Sequence, residues 1–234
     1  AETRRNRLTV HKKWNANTAI LSGDAMMIKS YEFLENTPAH LWTKLFPIFT
    51  RTALEVCEGQ QYDMNYECEP FITIEDYIQM IGLKTAVLIA CSAKIGALIG
   101  GAGKETSEAL YNYGYKLGLA FQIKDDLLDS FGETAVFGKN IGGDIMNNKK
   151  TWLLVESFKR AAGKDRVELD YLLRGKEIKR EEKIPAMQNL FRRIGIVADA
   201  EKEIERLHAE AWDILVGAGL DKRQLEQLSE FANI

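Results

Sequence analysis

Histidine, cysteine and proline are all scarce here, with three, three and four copies among 234 residues. The three histidines, His11, His40 and His208, are scattered, which argues against a multi-histidine metal centre and points to carboxylates for any metal chemistry. Cys57, Cys68 and Cys91 show no close-paired metal spacing and leave one thiol over in any disulfide scheme. A reducing compartment, and hence a cytoplasmic location, is the simplest reading. Strong positive charge is also missing: the net charge of −3 argues against a general nucleic-acid binder. It does not exclude anionic substrates, because metal ions can carry positive charge to them. No secretory signal is visible, although the chain opens at Ala1 with a charged run.

Long uninterrupted apolar runs are absent as well. The segment KTAVLIACSAKIGALIGGAG approaches membrane length, but Lys84 and Lys94 interrupt it and glycines crowd its end. It reads as a buried helix with close neighbours. Its GGAGK end is not a phosphate loop, since Leu98 stands at the first glycine position and Glu105 at the last position of that motif.

What is present favours helices. The chain is 46% hydrophobic and 28% charged, enough to build one large core, and no repeat or linker divides residues 1–234. Apolar residues recur at helical intervals between His11 and Glu35, until Pro38 ends the stretch. A second helix is expected from His40 through Glu69, softened near Pro47. Thr73 to Asp76 reads as a capping box opening the next one. A long helix follows from Lys104 to Ser130, then a glycine-bearing loop, with helix resuming near Asn147. The charged remainder from Gly163 contains a polar run, KEIKREEK, and two last helices. Nothing reads as a β-strand pair. The expected architecture is all-α, a single large helical bundle around a central cavity.

The segment Phe121-Gln122-Ile123-Lys124-Asp125-Asp126-Leu127-Leu128-Asp129 carries the chemistry. On a helix Asp125 and Asp129 are one turn apart on one face, and Asp126 lies about 100° round on its flank. Like charges so placed destabilise a helix unless something neutralises them. The bland alternative is a solvated helix end, but Phe121, Ile123, Leu127 and Leu128 give the acids apolar company. Hard oxygen ligands without imidazole or thiolate point to Mg²⁺, which takes one or two carboxylates plus water and phosphate oxygens. Downstream, Gly138-Lys139, Gly142-Gly143-Asp144 and Lys149-Lys150-Thr151 combine flexible glycines with lysines suited to phosphate.

With those residues in view, the sequence resembles the trans-isoprenyl diphosphate synthases (polyprenyl synthetases), similar to farnesyl and geranylgeranyl diphosphate synthases. FQIKDDLLD followed by GKNIGGD and NKKT is similar to the family's second aspartate-rich motif and lysine loop. Arg4-Arg5, Ala19 to Asp24, Gly59-Gln60 with Asp63, and Lys84-Thr85-Ala86 match further family segments in order, so the resemblance spans about residues 4–151. The C-terminal third carries no motif.

The resemblance implies a Mg²⁺-dependent prenyltransferase that joins isopentenyl diphosphate to an allylic diphosphate, giving a C15 to C20 product. Asp125, Asp126 and Asp129 would face the metal cluster, with Asp144 behind them. Arg4, Lys84 and Lys139 would hold the allylic diphosphate, with Lys149 nearby. Arg5 would help hold the isopentenyl diphosphate. Thr85 and Gln122 would lie where the carbocation forms, and Phe121 would pack against the homoallylic substrate. Lys84, Thr85, Gln122 and Asp125 are thus the expected catalytic group. A homodimer is implied too.

Lys94 is assigned nothing, and Gly23 and Gly59 are read as close-packing positions. The family's first aspartate-rich motif should stand just before Ala1 to Arg5 and is not in this sequence. The expectation is a missing N-terminal segment, without which the polypeptide would be inactive. Two rival readings are a non-catalytic regulatory subunit of a heteromeric prenyl synthase and a terpene cyclase of the same fold.

Overall fold

The computed structural model describes residues 2–4, 7–132, 141–174 and 178–233. Helices dominate. They are α1 (Val10–Lys13), α2 (Ala16–Glu35), α3 (Trp42–Cys68), α4 (Ile74–Ile81), α5 (Val87–Ile99) and α6 (Lys104–Phe131). Then come α7 (Gly143–Met146), α8 (Trp152–Arg160), α9 (Gly163–Arg174), α10 (Arg180–Arg193), α11 (Ile196–Val216) and α12 (Lys222–Ser229). The architecture is all-α, as expected.

Several boundaries differ from the sequence reading, for local reasons. The first helical stretch splits at Asn15, whose side chain accepts the Thr18 N–H at 2.8 Å and so starts a new helix. Proline does not break α3, because Pro47 stands near its start and removes a single backbone donor. The region after Gly163 holds four helices instead of two, with α10 beginning inside the polar run. A short antiparallel pair, Thr3↔Leu8 and Arg4↔Arg7, occupies the N-terminus, where none was expected. Gly23 has open space around it and is not a close-packing position.

The capping box at Thr73 is present: its hydroxyl accepts the Asp76 N–H, and Asp76 accepts the Thr73 N–H at 2.9 Å. The helix it opens does not stop at Ile81. It continues through a π-helical turn, Gly82–Ala86, into α5. By length and composition Ile74–Ile99 could cross a membrane; in this fold it packs against α3 and α6.

Helix α6 is the central member, flanked by α5 and α11. Leu110, Tyr113, Gly114, Leu117 and Gly118 recur three and four apart and form its buried stripe. Gly118 permits close approach to the π turn, since a Cβ there would lie 2.5 Å from the Ala86 Cα. Gly59 does the same for α3, where a Cβ would overlap the Lys84 backbone nitrogen.

One polar group ties four segments together. Asp126, 1% exposed, accepts hydrogen bonds from the Tyr77 hydroxyl at 2.7 Å and the Trp152 N–H at 2.9 Å on one oxygen. Its other oxygen accepts from the Gln122 amide at 3.2 Å. Gln122 in turn accepts the Thr85 hydroxyl at 3.0 Å, so α4, the π turn, α6 and α8 are linked.

Two stability measurements check this packing. Gly118→Ala should destabilise the fold by about 1–3 kcal/mol through overpacking against Ala86; an unchanged urea midpoint would contradict that close approach. Tyr77→Phe leaves a buried carboxylate oxygen one donor short, with an expected loss of about 1–3 kcal/mol in the same experiment. A loss within error would show that the Tyr77 hydroxyl does not support Asp126.

Candidate active site

The C-terminal half of α6 turns its three acids to different surroundings. Asp125 is partly exposed and makes no hydrogen bond or ion pair among the described residues. Asp129, one turn on, accepts the Asp144 N–H at 2.9 Å. Its backbone carbonyl accepts the Gly142 N–H at 2.7 Å, so the returning loop is stitched to the helix end. Asp126 points inward. Its oxygens are engaged by Tyr77, Trp152 and Gln122, which corrects the expectation that it stands beside the other two facing a metal.

Burial raises the Asp126 carboxyl to about 6, against the pull of the Lys149 ammonium and the Tyr77 and Trp152 donors. Burial raises Asp129 as well, opposed by the Asp144 N–H. On Lys149 burial pulls the other way, but Asp126, Asp144 and Asp63 outweigh it and hold the ammonium above its usual range. These are the signs of a crowded, partly dry acid–base cluster.

The cations around these acids are already paired. Lys84, in the π turn, meets Asp63 of α3 at 2.5 Å. Lys149 meets Asp144 at 3.2 Å. Because Asp63 also acts on Lys149, the two ammonium groups share one electrostatic neighbourhood. The α-to-π change shifts the register of the helix face, and π turns of this kind recur at functional sites. It is this turn that presents Lys84 and Thr85.

Phe121 is 43% exposed and borders an apolar cavity of about 420 Å³, together with Ile89, Leu117, His208 and Phe231. Arg4 lies exposed on the N-terminal strand and makes no ion pair among the described residues. Arg5 and Lys139 fall outside the described residues. Lys94, given no role, pairs with Glu108 at 2.6 Å.

Sequence reasoning missed Tyr77, although it stands two helical turns before Lys84. It also missed Asn148, which opens the NKKT segment but was given no role there, and Lys183, which belongs to no motif; both are described below.

The donor set suits a hard cation. Among the described residues no three acidic, histidine or cysteine side chains converge on one point. Magnesium does not need that many, since one or two carboxylates suffice beside water and phosphate oxygens. Asp125 is available for such a role, and Asp129 stands one turn from it.

Comparison with known proteins identifies the family. Residues 1–191 match the family model for polyprenyl synthetase. The geranylgeranyl diphosphate synthase of Methanosarcina mazei is 40% identical over 167 residues, which cover 70% of this chain and 51% of that protein. A short chain isoprenyl diphosphate synthase from Methanothermobacter thermautotrophicus is 35% identical over 230 residues, 98% of this chain and 67% of that protein. The chain thus spans about half of the first relative and two thirds of the second. Among solved structures, the geranylgeranyl pyrophosphate synthase from Corynebacterium glutamicum, complexed with isoprenyl diphosphate and magnesium, superposes with a TM-score of 0.90 at 26% identity. It covers 99% of this chain and 71% of that one. With a family match over residues 1–191 and the same fold in solved relatives, the chain belongs to the polyprenyl synthetase family.

Proposed function

We propose that the protein is a magnesium-dependent trans-prenyltransferase that condenses isopentenyl diphosphate with an allylic diphosphate. The observation that carries this reading is Asp125. Among the described residues it is the acid of the α6 motif that no side chain or backbone group bonds, and it acts on Asp129, which Lys149 also influences. Relatives named for geranylgeranyl and geranylfarnesyl products favour a C20 to C25 product over a C15 one.

The chemistry divides among the residues. Lys84 and Lys149 would hold the allylic diphosphate, exchanging their carboxylate partners for phosphate oxygens. Asp125, with Asp129 beside it, would hold magnesium, which supplies Lewis-acid stabilisation of the departing pyrophosphate. Thr85 donates its hydrogen to Gln122, so the lone pairs of its hydroxyl oxygen remain to face an allylic cation. Gln122 is itself held by its bond to Asp126. Phe121 and the apolar cavity would exclude water while the isopentenyl double bond attacks. The resulting tertiary cation then loses a proton, for which the released pyrophosphate is the available base. Arg5 and Lys139 are further candidates for diphosphate binding.

A cytoplasmic location is proposed on the same footing, supported by three free cysteines. We also infer a homodimer formed through α2. This 20-residue helix buries none of its side chains, and Ile20, Leu21, Met26, Ile28 and Phe33 are all exposed. A single chain gains little by displaying so many large apolar side chains on one helix.

Two experiments test these readings on the gene product that contains this sequence. Asp125→Asn should lower kcat for elongation by at least about 10²-fold. Its folding stability should be unchanged or raised by a few tenths of a kcal/mol, as repulsion from Asp129 is relieved. Labelled isopentenyl diphosphate incorporation, with and without chelator, is the assay. Wild-type rates in the variant, or elongation that survives chelation, would remove the basis of the mechanism. Ile20→Asp combined with Phe33→Asp should convert a dimer to a monomer in sedimentation velocity. A protein monomeric before substitution, or dimeric after it, would refute the α2 interface.

A further inference from the structure

Lys183, on α10, is an expensive residue where it stands. Its residue surface is 4% exposed, and burial lowers its ammonium from the usual range, with no carboxylate among the described residues acting on it. A methionine would occupy similar volume without desolvating a charge. The surroundings therefore need a strong donor at this place.

Two acceptors use it. The ammonium donates to the Asn148 side-chain oxygen at 2.7 Å and to the Met146 carbonyl, at the end of α7, at 3.4 Å. Asn148 is the described non-glycine residue with positive φ, at 50°, a conformation that asparagine tolerates better than most. Its amide nitrogen donates to the Leu173 carbonyl of α9 at 3.0 Å. The orientation of the amide is unambiguous, because an ammonium requires the oxygen and a carbonyl requires the nitrogen. The left-handed turn is thus clamped from both sides, by α10 and by α9.

What the turn delivers is Lys149, the next residue. The Lys149 N–H donates to the Asp144 carbonyl at 3.0 Å, and its ammonium lies 3.2 Å from the Asp144 carboxylate. Three residues further, the Trp152 N–H reaches Asp126. We propose that Lys183 is a positioning residue, which through the Asn148 turn holds the Lys149 ammonium where a substrate diphosphate is bound. This inference rests on the diphosphate-binding role proposed above for Lys149. Lys183 touches no reacting atom in this scheme.

The test is calorimetric titration with inorganic pyrophosphate in the presence of Mg²⁺, followed by steady-state kinetics on the same gene product. Lys183→Met should weaken pyrophosphate binding about tenfold, the scale of losing a hydrogen bond to a charged group. It should raise KM for the allylic diphosphate in parallel, while KM for isopentenyl diphosphate stays within about twofold. Asn148→Gly keeps the positive φ and removes the amide bridge, so it should act in the same direction and serves if Lys183→Met does not fold. The combination of Lys183→Met with Lys149→Met should be no worse than Lys149→Met alone, as expected of residues acting in series. A purely structural role predicts a lower Tm with both KM values and the pyrophosphate affinity unchanged, and that result overturns the proposal. Multiplying effects in the double variant overturn it too. Failure of the wild-type protein to bind pyrophosphate defeats both this inference and the reading beneath it. Unaltered binding in Lys183→Met, with an active wild type, defeats the inference alone.

Discussion

A carboxylate taken out of water needs donors for its lone pairs, and Asp126 finds them on elements far apart in sequence. Tyr77 comes from α4, Gln122 from the preceding turn of α6, and Trp152 from the N-terminus of α8. The last is a backbone N–H that the helix cannot satisfy internally, and the positive end of α8 suits a negative partner. Removing any one donor leaves a desolvated charge, so α4, α6 and α8 must dock in one register. Through Gln122 the same constraint reaches Thr85 and the π turn. The positions of Lys84, Thr85 and Trp152 relative to α6 all follow from satisfying this single group.

Around that fixed centre the cations are held in reserve. Lys84 and Lys149 each rest against a carboxylate that belongs to the protein, Asp63 and Asp144. Pairing keeps two partly buried ammonium groups from repelling one another in the absence of ligand, and it keeps their side chains ordered. An incoming polyanion would exchange one partner for another without first having to organise the site. On that proposal, part of the binding energy would be spent on displacing Asp63 and Asp144, which would favour ligands of high charge density.

Much of this was legible from the residues. The capping box at Thr73, the extent of α6 and the shared face of Asp125 and Asp129 follow from spacing alone, because they depend on contacts three or four residues away. The π turn was not legible: Gly82–Ala86 reads as ordinary helix, and its extra residue is accommodated by packing against α3 and α6. Pro47 inside α3 misleads because a proline signal does not say whether tertiary packing outweighs one missing donor. The clamp on Asn148 was invisible for a stronger reason. Lys183 and Asn148 are 35 residues apart, and Lys183 sits in a polar run that looks like solvated surface.

The division among the three acids shows what spacing does decide once a partner surface exists. Helical geometry places Asp125 and Asp129 together and turns Asp126 about 100° away from Asp125. The motif alone cannot say which of these directions is inward. Packing of α4 and α8 settles it, since Tyr77 and Trp152 supply donors on the Asp126 side and none of the described residues bonds Asp125. Asp129 falls between the two, tied to the loop through Asp144 yet partly exposed at the same rim. An acidic motif of this kind therefore spans two environments on one helical turn. One carboxylate builds the platform from inside, and its neighbours are left at the rim because the platform holds still.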